Sequence, residues 1–332
     1  MQFGQDKTLG VIYQTTMDRP DAALALALLH GYEGKREARV AALAVSGSGL
    51  GAAAFCDVVS RFYSGAGPAF NSNRLLPVGL VADGPLPPDS AMVTAALERK
   101  NDKGELAYVR GIRRVGDTSE VRAQIRNSMT GFVNGAIVVV LSAPATQLAR
   151  VLDLAGTREL IAAKVRTLVI ADSGVRQDVE AARKVLAEWP TPVVLCDKSI
   201  GDAVPYPAAS IENDFDWTPA HPVTDAYRAF KAMPYDAPSW DLVAMQYAIH
   251  PDSTLWRLSD PGSIAVNDDG RFGFTAAPGG KHRVVTAAPD QSAAILKAFV
   301  EIVSAKPVPR PVRGPRPQVQ QQQQKAVEPP KK

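Results

Sequence analysis

Asp18 and Asp21 lie three residues apart in YQTTMDRPDAALALALL (13–29), where a short apolar run gives way to a polar turn and then to an Ala/Leu helix. Asp241 opens a second helical stretch, PSWDLVAMQYAIHPD (238–252). Carboxylates at the ends of strands and the starts of helices can hold a hard cation or take a proton from water. Each also has a plainer reading. An aspartate two residues before a proline is a common turn former, and one at a helix start is favoured by the partial positive charge there. Polar neighbours widen the set of candidate ligand-binding residues to Thr16 in the same turn, Ser48 in VSGSGLG (45–51), Ser142 and Gln147 in SAPATQLA (142–149), and Trp240. The Ser/Gly segment reads equally well as a tight strand-to-helix turn, and Thr146-Gln147 as a packing pair on a helix.

These residues need elements to hold them. Apolar runs recur at 8–13, 39–45, 76–82, 136–142, 166–172 and 191–197. Their short, continuous character predicts parallel strands buried on both faces. Helical spacing of apolar residues at 21–31, 53–63, 120–129, 144–154 and 178–189 fills the gaps, so strand and helix alternate. The pattern predicts an α/β fold, doubly wound, with a mostly parallel central sheet flanked by helices. Past Cys196 the chain turns Pro- and aromatic-rich. Asp269-Gly270 between alternating apolar runs then predicts a small C-terminal β-hairpin, and a last helix runs over 291–305. One α/β domain over 1–305 is expected, followed by a disordered tail, 306–332, rich in Pro, Gln and Lys/Arg.

Charge narrows the partners. The net charge of +3 belongs to the tail: residues 306–332 hold 7 basic and 1 acidic side chains, leaving 30 basic against 33 acidic for the rest. No nucleic-acid surface is expected on the folded part. Two cysteines, Cys56 and Cys196, make no disulfide framework and are expected to be buried. The four histidines, His30, His221, His250 and His282, share no metal-ligand spacing. GSGLG lacks the GxGxxG dinucleotide fingerprint. No membrane span or signal peptide is read in the chain as given. A leader removed before Met1 would leave the same sequence, so a periplasmic or secreted location stays open.

In this order, the segments resemble the inosine-uridine preferring nucleoside hydrolases, in the bacterial branch with a Ser-Trp-Asp late helix. The family's DxDxxxDD turn before an Ala/Leu helix is matched by Gln14–Asp21, its GPLTNLA segment by SAPATQLA, and its late-helix pair by Trp240-Asp241. The resemblance covers roughly residues 8–300. It implies one Ca²⁺ held by aspartates of the first turn, by Asp241 and by the backbone carbonyl of Ser142, together with an aspartate base that activates water. Here Gln14 stands at the general-base position, Thr16 and Pro20 replace two further aspartates, and Asp21 alone is kept. Asp21, Asp241 and Ser142 would form at most a weak or vestigial Ca²⁺ site, and no other cofactor is expected.

The resemblance therefore implies a nucleoside hydrolase-like protein with lost or strongly reduced N-ribosyl hydrolase activity that keeps a nucleoside or sugar ligand. One alternative is an active metal-assisted N-glycosidic hydrolase of altered substrate using Asp18, Asp21 and Asp241. The other is an interaction protein acting through its basic Pro/Gln-rich tail. Relatives of this fold imply a homo-oligomer, dimer or tetramer.

Overall fold

The computed structural model describes residues 8–64, 78–84, 86–173, 178–288 and 290–308. The expectation for the tail falls almost wholly outside them. Eleven strands among these residues form one sheet: β1 (Leu9–Thr15), β2 (Ala38–Val45), β3 (Val78–Leu80), β4 (Ser119–Glu120), β5 (Ile137–Ser142), β6 (Val165–Ala171), β7 (Val193–Cys196), β8 (Trp256–Leu258), β9 (Gly262–Val266), β10 (Phe272–Ala276) and β11 (His282–Ala287). Their order is β10-β9-β11-β7-β6-β5-β1-β2-β3-β4, with β8 beside β11.

Every pair from β4 across to β11 is parallel, and only the pairings β9–β10, β9–β11 and β8–β11 are antiparallel. From β1 the chain moves outward through β2, β3 and β4, then returns to the other flank of β1 and moves away through β5, β6 and β7. The winding direction thus reverses between β1 and β5. Connections leave the carboxyl ends of these two strands in opposite directions, which opens a crevice at that point. Gln14, Thr15 and Ser142 sit at its lip, with Gln14 opposite Leu141 and Thr15 opposite Ser142.

Alternation along β1 sorts the two cores. Val11 and Tyr13 face one apolar cluster and Ile12 faces the other. On the first side lie helices Pro20–Gly34, Leu50–Tyr63, Trp240–Ile249 and Ser292–Val303; on the second, Val121–Ser128, Thr146–Val151, Thr157–Lys164 and Val179–Glu188. The first helix buries Ala22 through Leu29 without an exposed face, because the sheet, the late helix and the last helix enclose it. That enclosure explains its Ala/Leu composition: an all-round apolar helix needs partners on every side. Pro20 starts it, where a missing N–H costs nothing.

The predicted hairpin forms as β9–β10 and prolongs the sheet through β11, which returns parallel to β7. The Pro-rich stretch after Cys196 contains short helices, Lys198–Ala203, Ala208–Asn213 and Pro222–Phe230. Cys56 and Cys196 are buried and free. No helix among the described residues is long and apolar enough to cross a membrane.

Candidate functional site

The turn after β1 is held by its own hydroxyls. Thr15 Oγ1 accepts from the Met17 amide at 3.0 Å, while Met17 sits in the left-handed region at φ 53°, a conformation that non-glycine residues adopt rarely. Thr16 donates to Asp18 at 2.5 Å, and the Ser48 hydroxyl donates to the Thr16 carbonyl. Asp18 is exposed and faces Thr16, whereas Asp21 and Asp241 are buried. Three of the sequence candidates, Thr16, Asp18 and Ser48, therefore form a knot at the mouth.

Asp21, Asp241 and Ser142 meet below it, joined by two residues that the sequence did not mark, Tyr13 and Arg19. Asp241 Oδ2 accepts from the Tyr13 hydroxyl at 2.6 Å and from the Ser142 hydroxyl at 2.5 Å. Its Oδ1 accepts from Arg19 Nη2 at 3.3 Å, and Arg19 Nε donates to Asp21 Oδ1, also at 3.3 Å. The other oxygen of Asp21 accepts the backbone N–H of Asp241 at 3.2 Å. Ser239 makes no side-chain cap on the late helix, so Asp21 supplies the cap across the fold.

Electrostatics follow from this enclosure. Burial opposes the charge on Arg19, but Asp241 and Asp21 more than offset it and keep the guanidinium protonated. Burial, together with the Asp241 carboxylate, pushes the Asp21 carboxyl well above the usual carboxylate range, with Arg19 working against the shift. Tyr13 is raised by burial and by Asp241, so it stays a neutral phenol and donates. Asp241 accepts three side-chain hydrogen bonds, two on Oδ2 and one on Oδ1.

A Ca²⁺ ion takes roughly 6–8 oxygen ligands at about 2.3–2.6 Å. Here a guanidinium already bridges the two carboxylates, and the Ser142 hydroxyl is turned onto Asp241. Among the described residues no group of three or more His, Cys, Asp or Glu could hold a metal ion. The residues do not fit a divalent cation while Arg19 stays in place.

Trp240 borders the cluster, with Arg19 5.6 Å and Lys198 4.3 Å from its ring centroid. Its position depends on Gly201, where a Cβ would lie 2.7 Å from the Trp240 nitrogen and 2.9 Å from its Cα. Gly201→Ala is expected to push the late helix outward and to cost roughly 1–3 kcal/mol. A blue or red shift of tryptophan emission, alongside a lower urea midpoint, checks this.

Gln14 and Gln147 lie apart from the carboxylates. Gln14 is fully buried on the opposite face of β1 from Tyr13, and its Nε2 donates to the Pro144 carbonyl at 3.1 Å. Four buried oxygens, Gln14 Oε1, Ser46 Oγ, Gln147 Oε1 and Ser173 Oγ, have no hydrogen-bond partner among the described residues. Gln14 lies in β1, Ser46 and Ser173 just beyond β2 and β6, and Gln147 in the first turn of the helix that follows β5. Unpaired buried oxygens are costly, so each is a place where a bound water would be favoured.

Two other features lie outside this crevice. Ser60, His30 and Glu33 form a Ser-His-Glu chain, with His30 Nε2 2.9 Å from Ser60 Oγ and Nδ1 3.0 Å from Glu33. It is sealed between the first two helices, with Ser60 1% exposed, and no substrate reaches it. A cavity of about 610 Å³ lies at the opposite edge, lined among others by Tyr32, Lys35, Glu37, Arg166 and His250, far along the first and late helices from Arg19.

Comparison with known proteins bears on the fold. No protein-family profile matches the sequence, and no curated protein does. Solved structures match over nearly the whole chain. A purine-preferring ribonucleoside hydrolase from Gardnerella vaginalis superposes with TM-score 0.63 at 15% identity, covering 90% of this chain and 99% of its own. An inosine-uridine preferring nucleoside hydrolase from Bacillus anthracis gives 0.59 at 15%, covering 89% and 100%. The type III effector protein XopQ, solved in complex with adenosine diphosphate ribose, gives 0.60 at 12%, covering 91% and 95%. The chain has the fold of these nucleoside hydrolases.

Proposed function

We propose that this chain binds a ribosyl or other sugar ligand at the carboxyl edge of β1 and β5 without hydrolysing an N-glycosidic bond. The observation that carries the reading is the pairing of both surviving carboxylates. Asp241 accepts from Tyr13, Ser142 and Arg19, and Asp21 accepts from Arg19 and the Asp241 amide, so both carboxylates are committed to holding the fold and the Arg19 charge opposes their basicity. Gln14, at the position where the resemblance puts the base, is an amide with no useful basicity. Asp18 is the remaining carboxylate of the turn, and it is engaged by Thr16.

Gln14, Ser46, Gln147 and Ser173 carry buried oxygens without a partner among the described residues, which the hydroxyl donors of a sugar would satisfy once the strand ends open to admit it. The adenosine diphosphate ribose bound to XopQ adds a ribosyl compound on the same fold. The test is a turnover panel of inosine, uridine and a nitrophenyl riboside, with ribose and adenosine diphosphate ribose titrated by calorimetry. Binding heat without release of free base or nitrophenol is the expected result. Turnover that disappears in Asp241→Ala would instead establish an active hydrolase.

A further inference from the structure

The two carboxylates that the fold brings together are bridged by a side chain, not left open to an ion. Arg19 leaves the turn next to Asp21 in sequence yet reaches Asp241 across the crevice, with its guanidinium contacting one oxygen of each carboxylate at 3.3 Å. Its side chain is only 18% exposed, and those of Asp21 and Asp241 are 3% and 0%. Two buried carboxylates sharing one site repel each other, and only a proton or a cation relieves them. A guanidinium is permanently charged and less strongly hydrated than an ammonium, which suits it to this burial. The Trp240 ring 5.6 Å away closes its outer side.

We infer that Arg19 is a built-in cation that takes the place of a divalent metal between Asp21 and Asp241, making the site metal-independent, and that removing its charge opens a cation site. The inference does not rest on whether the site hydrolyses a ligand, and its readout is ion binding alone. With Arg19 neutralised, Asp21 Oδ1 and Asp241 Oδ1 lose their donor, and the Ser142 hydroxyl stands beside them. These are hard oxygen atoms that a calcium ion can use, with water completing its shell.

The test titrates Ca²⁺ into the full chain by calorimetry and follows Tm in Ca²⁺ and in chelator. Wild type is expected to show no heat and the same Tm in both. Arg19→Ala and Arg19→Gln are expected to melt lower in chelator, and saturating Ca²⁺ should raise their Tm by roughly 3–8 °C. That gain should vanish when Asp241→Asn is added. Arg19→Lys, which keeps a cation, should remain indifferent to Ca²⁺. A neutral variant that folds only in Ca²⁺ also supports the inference. Stoichiometric Ca²⁺ binding by wild type that is lost in Asp241→Asn overturns it. So do neutral variants that fold but ignore Ca²⁺, or that fail to fold even with the ion present.

Discussion

Asp241→Ala is expected to lower the stability of the fold by roughly 3–5 kcal/mol in urea denaturation, because it breaks a buried ion pair and leaves buried donors without their acceptor. Asp241 is completely buried and satisfies three donors at once: the Tyr13 phenol, the Ser142 hydroxyl and the Arg19 guanidinium. Alanine removes the acceptor of the Ser142 hydroxyl, leaves the Tyr13 phenol only the Ala22 carbonyl at 3.5 Å, and leaves Arg19 paired with Asp21 alone. Asp241→Asn keeps one acceptor oxygen for the hydroxyls but loses the charge opposite Arg19, so its cost should be smaller, roughly 1–3 kcal/mol. Equal losses in the two variants would mean that the charge contributes nothing and that the cluster is held by shape.

The second large effect is acid sensitivity through His221. Its ring is packed among Phe62, Tyr63, Phe215 and Trp217, with Nε2 3.1 Å from the Tyr63 hydroxyl and, among the described residues, no partner for Nδ1. Burial, reinforced by the Arg228 charge, lowers its pKa from 6.5 to about 3. A depressed folded pKa means that the fold favours the neutral ring. The stabilisation is complete above pH 6.5 and declines as pH falls toward about 3. The slope for this one group approaches roughly 1.4 kcal/mol per pH unit. His221→Phe fits the aromatic surroundings and removes the titration. Urea midpoints from pH 7 to pH 4 should therefore fall less steeply for the variant than for wild type, and parallel profiles would exclude His221 as the source.

Much of the architecture was legible because strands buried on both faces are spelled as continuous apolar runs. The runs at 8–13, 136–142 and 166–172 became β1, β5 and β6 within a residue or two of the expected bounds. The short helices after Cys196 were harder to read. Their apolar residues are spread over six to nine positions and interrupted by prolines, too few turns for periodicity to show.

The candidate site divides in the same way. Asp21, Asp241 and Ser142 were identified by motif, and the fold brings them together. Tyr13 was hidden because a tyrosine in an apolar run reads as core, and its partner lies 228 residues away. Arg19 was hidden because an arginine beside a proline in a turn reads as a solvated side chain. The available signal was charge: Arg19 is the lone basic residue in a turn with Asp18 and Asp21, where a metal would need carboxylates rather than a cation.

The most direct test of a metal-free ribosyl site is a crystal structure of the full chain soaked with ribose and calcium. The account predicts ribose along the Gln14, Ser46, Gln147 and Ser173 edge, with the Arg19 guanidinium still bridging Asp21 and Asp241 and no ion between them. A calcium ion coordinated by Asp21 and Asp241, with Arg19 swung away, would contradict it.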